Sequence, residues 1–309
     1  MPEPVVSVPK RRASGFDRRQ RIGYLYILPW ILGFLLFQLY PFVISIYYSF
    51  TNYSISASPV FVGLSNYRTM FTSDPDMLNS LAVTFKYVFI SIPLKISFAL
   101  IIALILNMSL RGMSFFRTVY YLPSILGGSV AVSILWRNLF ETDGIINKAL
   151  NFVGMPKVQW LTSPKIAIFT LSFLSVWQFG SSMVFFLAGL KQIPSELHEV
   201  AEIDGAGKIR QFFSITLPLL TPIVFFNLVM QMINAFQEFT AAFIVTSGGG
   251  PVKSTYLYGL LLYQNGFMYM KMGYASALSW VLFIIILFFT MLVFRSSTYW
   301  TFYTDGGKS

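Results

Sequence analysis

Polar side chains recur at helical spacing inside an apolar segment in the C-terminal third of the chain. Asn227, Gln231 and Asn234 occupy positions i, i+4 and i+7, and Glu238 continues the same helical face at i+11. Amides and carboxylates form hydrogen bonds with polar ligands, so this face suits a polar solute. Because polar side chains that face lipid are costly, the face is expected to point into a helical bundle. A solute path and a contact with a second membrane protein would each satisfy these groups, and we favour the path.

Charged and aromatic residues elsewhere add to this candidate path. Gln237 adjoins the polar face, and Trp177 offers an aromatic ring to the candidate path. Lys95 lies mid-segment, where an ionisable group indicates function. Lys86 and Arg137 are further charges within or at the edges of segments, and Arg137 is expected to snorkel toward the interface. A cation that reaches the path favours an acidic substrate over a neutral one.

The composition places these residues in a membrane. Of 309 residues, 55% are hydrophobic and 11% are charged, and the mean hydropathy is +0.65, far from the balance of a soluble domain. A helix of about 20 apolar residues crosses about 30 Å of hydrocarbon. Six such segments lie at about 25–50, 81–106, 115–139, 166–190, 217–245 and 275–294. The predicted fold is therefore an all-α membrane protein with six transmembrane helices, the first of them kinked.

The loop between the fourth and fifth segments is polar and carries turn signals. Pro194 and Ser195 are expected to open a helix with Ser195 as its N-cap, and Gly205 is expected to stop or turn that helix. A second amphipathic turn then leads to Pro218. The spacing predicts a short helix-turn-helix at 195–216 that lies outside the hydrocarbon.

This loop resembles the EAA loop in the membrane subunits of ABC importers, which reads E-A-A, three residues, G, nine residues, I-x-L-P. The matching residues are Glu199, Ala201, Gly205, Ile215, Leu217 and Pro218, with Val200 in place of the first Ala. We call residues 195–216 the EAA-like loop. The resemblance implies the type I ABC importer permease fold, with a cytoplasmic coupling helix that docks in a cleft of a separate ATP-hydrolysing subunit. The residues that it assigns to this coupling contact are Glu199, Ala201, Asp204, Gly205 and Ala206.

Motifs across residues 24–295 resemble the carbohydrate branch of these permeases, the group that contains the maltose importer's membrane subunits. They include Tyr121-Leu122-Pro123, Trp136, Trp177 with Gly180, and the stretches 186–190, 248–251 and 272–277. The resemblance implies a sugar or oligosaccharide importer, in which sugar rings stack on aromatic side chains such as Trp177. If Lys86, Lys95 or Arg137 reaches the path, an acidic sugar is favoured, for example a uronate-containing, pectin-derived oligosaccharide. In such an importer, this chain would pair with a second homologous permease, two ATP-binding cassette subunits and an extracytoplasmic solute-binding protein.

No catalytic or cofactor-binding pattern is found in the sequence. No Gly-rich loop is followed by Lys-Ser or Lys-Thr in register, so ATP and Mg are expected on the partner ATPase, and this permease subunit is expected to bind no cofactor and to be no enzyme. The chain has no cysteine, and a single histidine, His198, makes no metal site. The net charge of +10 follows membrane topology, and no basic face indicates nucleic acid.

Basic residues predict the orientation, because Lys and Arg near short loops are retained on the cytoplasmic side. They are more frequent around the predicted inner loops and the termini than around the outer loops. The chain is therefore expected to be a multi-pass protein of the bacterial inner membrane. Both of its termini and the EAA-like loop are expected on the cytoplasmic side. The predicted units are an N-terminal arm at 1–23, a permease domain at 24–295 and a tail at 296–309. Residues 1–16 of the arm are expected to be disordered and able to contact membrane lipid.

Two other functions remain open on the sequence alone. A secondary transporter is expected to show inverted repeats and broken helices that carry an ion site, and neither is evident in the sequence. A membrane scaffold or sensor without transport does not need the EAA spacing. Both alternatives are therefore less favoured than an importer subunit.

Overall fold

The computed structural model describes residues 18–108 and 112–302, with side chains from Tyr24 onward. The first helix begins at Arg18, so the end of the predicted N-terminal arm is helical, while the part expected to be disordered lies outside the described residues. The last helix runs to Trp300, past the predicted start of the tail, and residues 303–309 also lie outside the described part.

Helices dominate the fold, and within the described ranges there are isolated β-bridges but no β-strand. The helices are α1 (Arg18–Phe34), α2 (Tyr40–Ser49), α3 (Ser65–Thr72), α4 (Pro75–Asn107), α5 (Met113–Leu126), α6 (Val130–Phe140), α7 (Ile145–Phe152), α8 (Ala167–Trp177), α9 (Gly180–Leu190), α10 (Ser195–Ile203), α11 (Lys208–Gln211), α12 (Leu217–Phe236), α13 (Thr240–Val245), α14 (Tyr258–Tyr263) and α15 (Met272–Trp300). A π-helical turn at Leu35–Leu39 joins α1 to α2, and this irregular turn falls within the span predicted to be kinked.

The predicted spans correspond to four continuous helical stretches and two bent pairs, all apolar enough to cross a membrane. The continuous stretches are Tyr24–Ser49, Pro75–Asn107, Lys208–Phe236 and Met272–Trp300, and the bent pairs are Met113–Leu126 with Val130–Phe152 and Ala167–Trp177 with Gly180–Leu190. Counting each pair as one span gives six, as the hydropathy pattern predicts.

The third and fourth spans are broken. The third changes direction by 101° after α5, where Gly128 has a left-handed φ of 78°, and the fourth bends by 47° between α8 and α9. The expectation that this chain lacks broken helices was therefore wrong, because a short break inside an apolar run leaves the hydropathy pattern unchanged. The helix breaks therefore do not argue against a secondary transporter.

α4 is the central helix of the bundle. It has 33 residues, so it is about 50 Å long, and it packs against α8, α9 and α12. One apolar cluster includes Tyr87 and Ile92 from its first half, and a second includes Ala99 and Ala103 from its second half. Lys95 lies between these two clusters, so the core is interrupted by a charged residue at mid-helix.

The contacts near the two ends of α4 identify the two ends of the bundle. Near the start of α4, Asp76 accepts a hydrogen bond from Lys253 Nζ at 2.5 Å, which places the loop after α13 at this end. Near the other end, Asn107 shares a cleft with His198 and Lys208 of the EAA-like loop. We refer to the end opposite the EAA-like loop as the outer end.

Candidate functional site

α4 carries a polar stripe at mid-length. Tyr87, Ser91 and Lys95 are spaced four residues apart, which puts them on one face of the helix. Their relative exposures are 2%, 1% and 9%, so the stripe is turned into the bundle. A polar face at this depth requires polar neighbours or a ligand.

The opposing helix, α12, presents the amide face predicted from the sequence. Gln231 donates a hydrogen bond from Nε2 to Ser182 Oγ of α9 at 3.1 Å. Asn234 is exposed one turn further along. Glu238 follows the end of α12, and its Oε1 accepts a hydrogen bond from the backbone N–H of Ala241 at 3.0 Å, which holds the carboxylate against the start of α13.

A cavity of about 320 Å³ lies between these two polar faces. The breaks in the third and fourth spans complete its wall, because the helix ends leave small and polar groups facing inward. These groups belong to Ser124, Gly127, Gly128, Ser175, Gln178 and Ser181. Ser124 joins the two breaks, since its Oγ accepts from the N–H of Ser181 at 3.1 Å and donates to Gln178 O at 3.1 Å.

Four of the residues predicted to line a path meet at this cavity. They are Lys95, Gln231, Asn234 and Glu238. The spacing on α12 brings Gln231 and Asn234 together because α12 continues without interruption to Phe236, and the hydrogen bond to Ala241 N places Glu238 beyond its end. The cavity thus combines amides, hydroxyls, one ammonium and one carboxylate, the groups that bind sugar hydroxyls and acids.

The other three predicted path residues lie outside this cavity. Asn227 is buried one turn earlier on α12, and its Nδ2 donates to Ile223 O of the same helix at 3.1 Å. Gln237 lies beyond the last residue of α12 and faces a separate, mostly apolar groove between α12 and α15. Trp177 packs against Trp136, with ring centroids 5.9 Å apart. The helical face that the sequence suggested therefore reaches the cavity only between Gln231 and Glu238.

Lys95 is the cation of this cavity. Among the described residues, its ammonium has no hydrogen-bond or ion-pair partner, and the carboxylate that shares the cavity is that of Glu238. Lys86 is exposed elsewhere on α4. Arg137 lines a different cavity and forms an ion pair with Glu141 at 3.4 Å. Of the three cations singled out from the sequence, Lys95 alone borders this site.

Several cavity residues were missed by the sequence analysis. Tyr87 and Ser91 carried a usable signal, because they precede Lys95 at intervals of four residues on the same helix. Ser124 and Gln178 carried none, because they reach the cavity only through the breaks in their spans.

The EAA-like loop forms the predicted helix-turn-helix from α10 and α11. Gly205 has a φ of 75°, and a side-chain Cβ at this position would meet nothing within 4 Å, so the turn relies on the left-handed backbone of glycine and leaves it accessible. The prediction that Ser195 is the N-cap was wrong. Ser195 is the first helical residue, and Pro194 is the N-cap, without a side-chain cap.

The sequence suggested that the second helix of this loop lies apart from the fifth span, but in the structure the two are continuous. α11 continues through a π-helical turn at Phe212–Thr216 into α12, and together they form one stretch, Lys208–Phe236. The EAA-like loop is consequently connected to the cavity by a single helix.

Side chains hold α10 against α11. His198 Nδ1 lies 3.2 Å from Gln211 Oε1, and Gln211 Nε2 donates to Ala206 O at 2.8 Å. Across the turn, Lys208 forms an ion pair with Glu202, and this contact holds the pKa of the Glu202 carboxyl below its ordinary value. The loop is therefore ordered by contacts within the chain.

The outward face of the EAA-like loop is apolar and unpartnered within the described chain. Val200, Ile203 and Ile209 are 59%, 85% and 78% exposed. Of the residues predicted to contact the ATPase, Glu199, Asp204 and Gly205 are exposed and Ala201 and Ala206 are half-buried. Contiguous exposed apolar side chains outside a membrane span mark interaction surfaces.

Comparisons with known proteins agree with this architecture. A family model described as "Binding-protein-dependent transport system inner membrane component" matches residues 76–300. The probable ABC transporter permease protein YesP of Bacillus subtilis (strain 168) is 52% identical, over 95% of this chain and 96% of the relative. The arabinooligosaccharides transport system permease protein AraP of Bacillus subtilis (strain 168) is 31% identical, over 91% of this chain and 90% of the relative.

A solved structure has the same fold. A chain of the bacterial alginate ABC transporter, crystallised with an alginate pentasaccharide-bound periplasmic protein, superposes with a TM-score of 0.78. It is 21% identical, and the superposition covers 91% of this chain and 95% of the solved one.

Proposed function

Because the chain belongs to the family of binding-protein-dependent transport system inner membrane components, we propose that it forms one half of the translocation path of an ATP-driven oligosaccharide importer. The observation that carries the proposal is the cavity between α4 and α12, which lies within the bundle of spans and is walled by amides, hydroxyls and two opposite charges. Such a set of groups suits sugar binding. The relative named for arabinooligosaccharide transport supports this substrate class.

We assign the coupling to ATP hydrolysis to the EAA-like loop. Its exposed apolar face fits a cleft on a separate ATPase subunit, and Gly205 allows the partner's backbone to approach closely. The single helix from Lys208 to Phe236 has 29 residues and is about 43 Å long. A displacement of the loop is thereby carried to Gln231 and Asn234 at the cavity.

This chain requires partners to complete the importer. A second homologous permease closes the path, two ATP-binding cassette subunits bind ATP and Mg, and an extracytoplasmic solute-binding protein delivers the sugar. The EAA-like loop and both termini are cytoplasmic in this arrangement, in line with the distribution of basic residues. The family description, which names binding-protein-dependent transport, favours this function over a secondary transporter or a scaffold.

The Lys95 ammonium, which lacks a direct ion pair among the described residues, supports an acidic sugar. A buried cation without a partner is costly, and the 9% exposed Lys95 has no ion pair within the described chain. The Glu238 carboxylate is hydrogen-bonded to Ala241 N, so it is held near the start of α13. Glu238 attracts the Lys95 ammonium across the cavity without forming a direct ion pair. A substrate carboxylate, as in a uronate-containing oligosaccharide, would supply Lys95 with that direct ion-pair partner.

Reconstitution tests this function. The permease is purified with a second permease, an ATPase subunit and a solute-binding protein from the same organism, and the complex is placed in lipid vesicles. Uptake of a galacturonate trimer is compared with uptake of the neutral galactose trimer. Uptake that requires ATP and the binding protein, and that favours the acidic trimer, is expected. Uptake driven by an ion gradient without the ATPase subunits would instead indicate a secondary transporter.

A further inference from the structure

A second cavity lies at the outer end of the bundle, at the C-terminal end of α6. Its volume is about 380 Å³, similar to that of the central cavity. Its polar wall consists of Arg137 and Glu141 from the end of α6, Thr142 and Thr162 from the segment between α6 and α8, and Ser247 from the loop after α13.

Arg137 places hydrogen-bond donors without a partner at this outer cavity. It contacts Glu141 through Nε and Oε1 at 3.4 Å, and the two side chains are 44% and 51% exposed. Within the described residues, the two Nη groups of Arg137 have no partner. A guanidinium with free Nη groups can hold a carboxylate through two parallel hydrogen bonds.

The hydroxyls and the loop wall add to this binding capacity. The side-chain hydroxyls of Thr142, Thr162 and Ser247 are exposed, and none has a hydrogen-bond partner in the described part of the chain. Ser247 has a left-handed φ of 53°, a strained conformation for a residue with a Cβ. The adjoining Thr246 is fixed by a 2.7 Å hydrogen bond from Thr255, so the wall is ordered without a ligand.

The two cavities lie at opposite ends of α6, a short distance apart. Gly128 borders the central cavity just before α6, and Arg137 borders the outer one in its last turn. Nine residues of mostly helical chain separate these positions, which corresponds to roughly 13 Å. A single sugar ring is too short to touch both sites, whereas an oligosaccharide can reach from one to the other.

We propose that the outer cavity is a second subsite of the path, in which Arg137 and the surrounding hydroxyls hold an acidic sugar unit of the same oligosaccharide whose leading unit lies at Lys95. This inference rests on the proposed function and extends it to substrate length. The carboxylate of the outer unit competes with Glu141 for the Arg137 guanidinium. Long acidic oligosaccharides consequently use both cavities, and short ones use only the central cavity.

The test uses the reconstituted complex and galacturonate oligomers from the monomer to the tetramer. Arg137→Gln is expected to weaken handling of the trimer and tetramer by about tenfold, the value for one charge-assisted hydrogen bond, and to leave the monomer and dimer unchanged. Glu141→Gln frees the guanidinium and should strengthen handling of the long oligomers. Lys157→Gln is the matched control, because Lys157 is a half-exposed cation near the outer end that pairs with Asp143 and does not line the cavity.

Three results would overturn the subsite. The first is a loss in Arg137→Gln that is equal at all lengths, and the second is an equal loss in Lys157→Gln. The third is an altered ATPase response of Arg137→Gln to sugar-free binding protein, which would assign the cavity to protein docking. Failure of the proposed function is distinguishable, because it would appear in the unmodified complex as absence of ATP-dependent uptake at every length.

Discussion

Gln231 of α12 is joined to Ser182 of α9 by a hydrogen bond of 3.1 Å between Nε2 and Oγ. Ser182 is fully buried and Gln231 is 8% exposed, so the bond ties two helices that wall the cavity. Asn234 lies on the same helical face but is exposed. The two amides therefore have different roles: Gln231 braces the cavity, and Asn234 is available to a ligand.

Gln231→Ala should destabilise the protein. The substitution leaves the buried Ser182 hydroxyl without its partner, which costs about 1–3 kcal/mol, whereas Asn234→Ala should leave stability unchanged and weaken sugar handling by roughly two- to tenfold. Thermal unfolding of the purified complex, with and without bound oligosaccharide, separates the two effects. Equal destabilisation by both substitutions would contradict the assignment of Gln231 as a structural contact and of Asn234 as a ligand contact.

Gly205→Ala should uncouple ATP hydrolysis from transport. An alanine at the φ of 75° is strained by about 1–2 kcal/mol, and its methyl group projects into the space where the partner approaches. Gly207→Ala is the matched control, because Gly207 lies two residues away with a φ of −68° and also has nothing within 4 Å of an added Cβ.

Substrate-stimulated ATPase activity and membrane abundance are measured for both glycine variants. Gly205→Ala should reach normal abundance with reduced stimulation, and Gly207→Ala should behave as the unmodified chain. Normal stimulation of Gly205→Ala would argue against the turn as the ATPase contact.

His198→Ala should loosen the EAA-like loop without affecting the cavity. The change removes the 3.2 Å contact to Gln211 that holds α10 against α11. We expect sugar binding to be retained and fewer sugars to be moved per ATP hydrolysed, with recovery in His198→Gln, whose amide can still donate to Gln211. A loss of sugar binding in His198→Ala would contradict this role.

Two introduced cysteines test the orientation. The chain has no native cysteine, and Ile203 and Phe152 are 85% and 92% exposed at opposite ends of the bundle. In intact, wall-stripped cells, a membrane-impermeant thiol reagent should label Phe152→Cys and should label Ile203→Cys only after lysis. The reverse pattern would invert the proposed topology.

The sequence predicted those parts of the site that lie on continuous helices. Gln231 and Asn234 share a face because α12 is regular as far as Phe236. The periodicity failed at Asn227, which lies on the same regular helix but is buried, with its amide bonded to Ile223 O. Tyr87 and Ser91 were within reach of the same argument applied to α4.

The breaks were beyond sequence reasoning because contacts between distant segments fix them. At the start of α9, for example, a Cβ on Gly180 would lie 2.8 Å from Tyr120 O of α5. The close approach of α5 and α9 requires a glycine there, and hydropathy patterns contain no information on such approaches.

The charge at Lys95 provides the most direct test that the cavity between α4 and α12 is the path of an acidic sugar. Lys95→Gln is compared with Lys86→Gln, which removes an exposed lysine from the same helix outside the cavity, and ATP-dependent uptake of the galacturonate and galactose trimers is measured for each complex. We predict that Lys95→Gln lowers uptake of the acidic trimer by tenfold or more, about 1.4 kcal/mol, and largely spares the neutral trimer, while Lys86→Gln changes neither. An equal change of both trimers in Lys95→Gln, or unchanged uptake of the acidic one, would contradict the assignment.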